Sequence, residues 1–186
     1  MVNLMVSAVN AYLLKLLGSR SMRQEEVLEY LEGHKIDYDL IEHQAIFTIT
    51  ELNALVDYPD KDKVAKNLFL RNDSGSQHYL VLVRSDKKVN LKALRQQIGS
   101  SRLGFASEER LKKHLNLTKG SVSPLGIIND QSKSIPVLID EDLRDARIIG
   151  VHPNINTATL WMSHKAIVSA ITAHGNEVIH VSIPSE

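Results

Sequence analysis

Three short stretches hold the residue types whose spacing could do chemistry. In Val64-Ala-Lys66-Asn67-Leu-Phe-Leu-Arg71 a lysine and an amide interrupt an apolar run. A lysine so placed either lays its stem along a solvent-facing surface or points into a cleft, where a fixed cation positions a phosphate or sugar oxygen. Neighbours on a strand face opposite ways, so Lys66 and Asn67 reach one ligand only where the strand is bulged or ends at the site. In Val151-His152-Pro153-Asn154 the histidine falls at a strand end, because Pro153 cannot continue the ladder. His152 could act as a general base, a hydrogen-bond donor or simply a pocket wall. The third stretch is Gly120-Ser121-Val-Ser123-Pro124-Leu-Gly126-Ile-Ile-Asn-Asp130. Gly120 and Gly126 can take positive φ and allow close approach, while Pro124 fixes its own φ and biases Ser123 toward extended backbone. Such a loop can present a row of N–H groups suited to a phosphate, a carboxylate or a developing oxyanion. The competing reading is a tight connection between two elements.

Composition narrows the field. Of 186 residues 43% are apolar, enough for one domain with its own core. The absence of cysteine excludes disulfides and thiolate metal sites and fits a reducing cytoplasm. The histidines show no metal-ligand spacing, and there is no HExxH, GxSxG or phosphate-binding P-loop, so neither metal nor cofactor is expected. Asp140-Glu-Asp142 could hold a cation but reads better as a solvated turn or helix start. No base is fixed near Ser121 or Ser123, which read as loop residues able to donate. Formal net charge is zero, yet residues 61–119 carry 14 Lys/Arg against 5 Asp/Glu and the remainder 8 against 17. That asymmetry suits a polyanion-facing side, with Lys87, Lys88, Lys112 and Lys113 as candidate nucleic-acid contacts; a solvated basic face is the alternative.

Taken together, Ile41-Glu-His43…Phe47-Thr48, Lys66-Asn-Leu-Phe-Leu-Arg71, Phe105-Ala-Ser-Glu-Glu-Arg-Leu111, Gly120-Ser-Val-Ser-Pro124 and His152-Pro-Asn154 resemble the YbaK/prolyl-tRNA-synthetase-associated domain. This is the aminoacyl-tRNA editing domain that also occurs as free-standing deacylases. The similarity runs from about Met22 to the C-terminus and is strongest to the PrdX (ProXp-ala) branch, which removes alanine from tRNA for proline; the cysteine-selective YbaK branch is next. The resemblance implies a single α/β domain whose mixed, curved, barrel-like sheet is surrounded by helices. It also implies an acceptor-end tRNA partner, with prolyl-tRNA synthetase as a second candidate. The matching lysine, Lys66, is implied to contact the terminal adenosine, Asn67 to help hold the substrate's amino group, and His152 to lie at the site. The catalytic set expected on this basis is Lys66, His152, Gly120 and Ser121, with His43, Asn67, Ser123, Pro124, Gly126 and Asn154 binding substrate. Two departures bear on pocket shape: Gln44 follows His43 where the family usually has proline, and Leu125 stands where it usually has phenylalanine.

An activated ester needs no protein nucleophile, only an oriented water or ribose hydroxyl and donors for the oxyanion, for which the amides of Gly120 to Gly126 are candidates. A non-catalytic tRNA binder and a partner-binding scaffold remain the competing classes. Residues 1–21 read as an amphipathic helix with a narrow polar stripe, without the basic start or cleavage site of a signal peptide and too polar to span a bilayer. The expected division is this extension, 1–21, and an editing domain, 22–186. Further elements follow from local signals. Capping boxes at Ser21/Gln24 and Thr48/Glu51 open helices, the second ending before Pro59, and the first carries Val27, Leu28 and Leu31 inward. Strands are expected at Tyr38–His43, Val64–Arg71 and His78–Arg84, the last two joined by an Asn72–Gly75 hairpin. Asn90 and Ser107 cap helices. Strands at Ile135–Asp140, Ile148–Val151 and Thr157–Met162, a helix from His164 to His174 ended by Gly175, and a strand at Val178–Ile183 complete the chain.

Overall fold

The hairpin signal at Asn72–Gly75 seeds the larger of two sheets. The computed structural model describes residues 22–45 and 65–183, and in it β2 (Ala65–Arg71) and β3 (His78–Arg84) pair antiparallel, from Ala65 opposite Arg84 to Arg71 opposite His78. Gly75 closes the turn at φ +72°, a conformation that glycine takes without the penalty of a Cβ. Strand β5 (Val137–Asp140) joins β3 in parallel, and β8 (Val178–Val181) joins β5 in parallel. On the other side a two-residue strand, β4 (Gly104–Phe105), pairs with β2 only at Leu70 and Arg71. The order β4-β2-β3-β5-β8 makes this sheet mixed. The second sheet is antiparallel: β7 (Ala158–Met162) lies between β1 (Asp39–Glu42) and β6 (Ile149–Val151). The described strands thus form two sheets, and neither closes on itself.

Among the described residues four helices cover the sheets: α1 (Met22–Gly33), α2 (Leu91–Gln97), α3 (Glu108–Leu115) and α4 (His164–His174). Asn90 accepts from the Ala93 amide at 2.9 Å, Ser107 from Arg110 at 3.3 Å and Ser163 from Ala166 at 3.1 Å, each satisfying a first-turn N–H that the helix cannot. Gly175 ends α4 at φ +101°. Helix α1 buries Val27, Leu28 and Leu31 as its spacing requires. Gln24 is itself buried and reaches Glu42 across to β1 at 3.4 Å. Ser21, the residue 1–21 helix and the Thr48/Glu51 helix fall outside the described residues. No described helix is long and apolar enough to cross a membrane.

Strand alternation sorts the side chains of β2 onto two faces. Ala65 and Phe69 enter a core with Leu111, Leu117, Leu125, Ile127 and Val151, whereas Leu68 and Leu70 pack with Val81, Val83, Leu94 and Leu138. Strand β3 is buried from His78 to Val83, since each of its faces meets one of these cores.

The Asp140–Asp142 segment is a helix start, one of the two readings its sequence offered, but its first carboxylate is not solvated. Asp140 is fully buried and caps a short 3₁₀ turn, Glu141–Leu143. Its Oδ1 and Oδ2 lie 2.9 and 2.8 Å from Lys87 Nζ, which also meets Asp142 at 2.8 Å and the Ile183 carbonyl at 3.0 Å. Burial alone would lower the Lys87 pKa, but hydrogen bonds to both carboxylates outweigh it and raise the value. Lys87 is therefore a structural cation rather than part of a nucleic-acid-facing surface, because its three donors are used inside the fold.

Candidate active site

The loop from Gly120 to Asp130 is built by local hydrogen bonds and then pinned to the end of β6. Pro124 starts a short 3₁₀ helix, Pro124–Asn129, with Ser123 as its cap: Ser123 Oγ accepts from the Leu125 amide at 3.1 Å. The same hydroxyl donates to the His152 carbonyl, and Asn154 Nδ2 donates to the Leu125 carbonyl at 3.4 Å. Asn154 adopts φ +61°, a left-handed conformation that asparagine tolerates better than most residues. Both ends of the His152–Asn154 turn thus hold the loop. Ser123 and Asn154 are buried and act as staples rather than as groups open to a ligand.

The two glycines serve different ends. Gly120 takes φ +86°, as expected. Gly126 has ordinary backbone, and its requirement is steric: a Cβ there would lie 2.6 Å from Leu117 Cδ1. Leu125 is buried in the main core. Ser121 is also committed inward, donating to the Thr118 carbonyl at 2.9 Å and accepting from the Thr118 amide at 3.3 Å, so its hydroxyl belongs to a local turn and not to the expected catalytic set.

The row of amide donors narrows accordingly. Pro124 has no N–H, and the amides of Ser121, Leu125 and Gly126 bond to Thr118 O, Ser123 Oγ and Ser123 O. Among the described residues, the Gly120, Val122 and Ser123 amides have no internal acceptor. Gly120 and Val122 line a cleft of about 510 Å³ with Asn67, Phe105, Glu108 and Lys119. These two amides are the donors best placed to meet a ligand's oxyanion.

Asn67 shares the β2 face of Ala65 and Phe69, toward the loop, and stands opposite Leu82. Its Oδ1 is buried without a hydrogen-bond partner. A buried acceptor of this kind is costly unless a ligand completes it. Lys66 is turned the other way. It stands opposite Val83, and its ammonium donates to the Lys87 carbonyl. It does not line the cleft, so the pair is divided by alternation as an unbulged strand requires. Among the described residues the edge of β2 beside Lys66 is unpaired, since β4 ends at Leu70.

His152 and His43 lie together at one end of the small sheet, where β6 packs against β2. His43 Nε2 meets Thr159 Oγ1 at 2.9 Å and its Nδ1 meets the Gln44 carbonyl at 2.8 Å; the Thr157 carbonyl accepts from the His43 amide at 2.9 Å. The turn that lacks the usual proline is therefore held by the imidazole itself. Burial, and secondarily the neighbouring His43 ring, lowers the His152 pKa to about 4, and its Nδ1 is buried without a partner. The ring is therefore held neutral at pH 7, a state in which it can orient a water or a hydroxyl. The sequence reading included Val122 among the candidate amide donors but did not single out the cleft walls Phe105 and Lys119. Phe105 stood in a motif read for the resemblance and for the helix that Ser107 caps, not for the site.

Comparison with known proteins shows the family. The aminoacyl-tRNA editing domain model matches residues 43–169, from His43 past the His152 turn. ProX, a prolyl-tRNA editing protein of Acetoanaerobium sticklandii, is 44% identical over 153 residues, covering 82% of this chain and 93% of that one. The prolyl-tRNA synthetase associated domain-containing protein 1 of Danio rerio is 32% identical over 142 residues, 75% of this chain and 76% of that one. A solved structure described as a candidate trans-editing enzyme for prolyl tRNA synthetase superposes with a TM-score of 0.68 over 89% of this chain and all of that one; at 19% identity it bears on the fold alone. The chain belongs to the aminoacyl-tRNA editing domain family.

Proposed function

We propose that the protein is a trans-editing deacylase that hydrolyses the ester of mischarged tRNA for proline, with the alanyl ester as its substrate. The observation that carries this reading is the cleft, where the Gly120 and Val122 amides and the unsatisfied Asn67 Oδ1 share one wall system. Asn67 accepts from the substrate's α-ammonium and the two amides receive the carbonyl oxygen. A water, oriented by the vicinal ribose hydroxyl, adds to the carbonyl carbon and the oxyanion forms against the amides; its collapse breaks the bond to the ribose oxygen, which takes the proton the water gives up, leaving free alanine and tRNA. His152, neutral at pH 7, orients the attacking water, whose proton passes to the leaving ribose oxygen rather than to the imidazole. Lys66 exchanges the neutral Lys87 carbonyl for a phosphate oxygen at the acceptor end by reaching around the open edge of β2, since an anionic acceptor holds the ammonium more strongly than a neutral one.

Selection is by size. A synthetase site built for proline cannot strongly exclude a smaller residue, so a pocket that takes alanine and rejects the proline ring serves as the second sieve. Residues 22–186 form the catalytic body in this reading, residues 1–21 are dispensable for hydrolysis, and the protein works in the cytoplasm, alone or beside prolyl-tRNA synthetase. The test is a deacylation panel of alanyl-, cysteinyl-, seryl- and prolyl-tRNA. Fastest turnover of the cysteinyl ester would move the protein to the cysteine-selective branch. Binding of the panel without turnover would make it a tRNA-binding module.

A further inference from the structure

Phe105 is the one large apolar side chain exposed among the described residues, at 64%. It stands on the wall of the cleft, across from Gly120 and Val122. Its backbone is fixed on both sides: β4 pairs Phe105 with Leu70, the Ala106 amide donates to the Phe69 carbonyl at 2.9 Å, and Ser107 at once caps α3. A single exposed apolar side chain is ordinary in itself; what sets this ring apart is that a fixed backbone holds it on the wall of a cleft. It is a ready surface for a flat partner.

We propose that Phe105 is the stacking platform for the terminal nucleobase of the tRNA acceptor end, a role that rests on the deacylase reading of the cleft. Two features favour an RNA 3′ end over an apolar peptide. Lys119 stands at the cleft and Lys112 and Lys113 lie exposed on the helix that follows Phe105, so the surroundings attract a phosphodiester chain. Glu108 shares the cleft wall; its carboxylate repels a phosphate at this spot but accepts from the exocyclic amine of adenine or cytosine. The base thus enters over Phe105 while its phosphates follow the lysines. With the base stacked there, the ribose that bears the ester is directed toward Gly120 and Val122.

The test uses the full chain with an uncharged acceptor minihelix carrying 2-aminopurine in place of the terminal adenine. Stacking on an aromatic ring contributes enough that Phe105→Ala and Phe105→Leu should bind roughly 10- to 100-fold more weakly and lose the fluorescence quench seen with wild type. Phe105→Tyr and Phe105→Trp should retain both, and all four should melt near wild type because the ring is exposed. Quenching and affinity retained by Phe105→Leu, or absent in wild type, would overturn the proposal. Because the probe is uncharged, the two readings separate. Wild-type quenching without hydrolysis of any charged tRNA leaves the platform standing and removes the deacylase. Hydrolysis unchanged in Phe105→Ala at limiting substrate does the reverse.

Discussion

Replacing Asn67 should lower activity and leave stability unchanged or raised, an unusual combination. The side chain faces the glycine loop and lines the cleft, and its Oδ1 is buried with no partner. In the free protein that atom costs about 1–3 kcal/mol relative to an apolar group of the same shape. In the complex it accepts from a charged ammonium, a bond that contributes about 1.5–3 kcal/mol. Asn67→Leu, close in shape, should therefore reduce kcat/KM for alanyl-tRNA(Pro) by roughly 10- to 150-fold while its melting temperature holds or rises. Asn67→Ala should show the same rate loss with a smaller stability benefit, because it leaves a small void. Single-turnover release of labelled alanine, read beside urea melts of each variant, decides it. A variant that loses stability yet hydrolyses at the wild-type rate would show that the amide supports the strand and does not touch substrate.

Lys66→Ala should cost roughly a hundredfold or more in the same rate while the protein still folds, and Lys66→Arg should not restore it fully, because a guanidinium lacks the compact ammonium geometry; a wild-type rate would leave Lys66 as a strand-face residue bound to the Lys87 carbonyl. Lys87→Met should lose about 3–5 kcal/mol of stability by leaving the Asp140 carboxylate buried and uncompensated, and Asp140→Leu on that background should recover much of it; a melt within about 1 kcal/mol of wild type would refute the buried pair. Binding of tRNA should fall steeply with salt, and charge reversal at Lys112 and Lys113 should weaken it without unfolding; a flat salt response would remove the basic surface from recognition. The His152 pKa is lowered to about 4 from an unfolded value of 6.5, so below pH 6.5 the unfolded chain binds the extra proton first. Its stabilising contribution, about 3 kcal/mol at most, is present above that pH and lost as pH falls toward 4. His152→Gln should flatten part of that decline in melts from pH 7 to 4.5, and an unchanged slope would place the acid sensitivity elsewhere, for instance at His78, whose pKa is lowered to a similar value.

What was legible in the sequence was local. Asn90, Ser107 and Gly175 announce helix ends through groups that act within four residues, and the structure has all three. The Asn72–Gly75 turn and the flanking apolar runs marked the central hairpin, though not its register. Alternation also warned that Lys66 and Asn67 would part, but it could not say which one faced the loop, since that depends on where Leu117 and Leu125 pack. Nor could spacing show that Asp140 lies under Lys87, 53 residues away, so one of four lysines read as a surface charge is a buried partner. Gly126 illustrates the same limit. A glycine chosen for φ and a glycine chosen for the proximity of Leu117 look identical in a sequence. Ser121 and Ser123 read as loop residues able to donate; their use as internal staples depends on the Thr118 and His152 carbonyls coming to meet them.

The central claim is that this cleft hydrolyses an aminoacyl ester and chooses by size. Its most direct test is the single-turnover rate of the wild-type protein on alanyl-tRNA(Pro) and prolyl-tRNA(Pro), the same tRNA in both. The account predicts rapid release of alanine, with the prolyl ester persisting at the rate of its spontaneous hydrolysis. Equal rates on the two esters, or no acceleration of either, would contradict it.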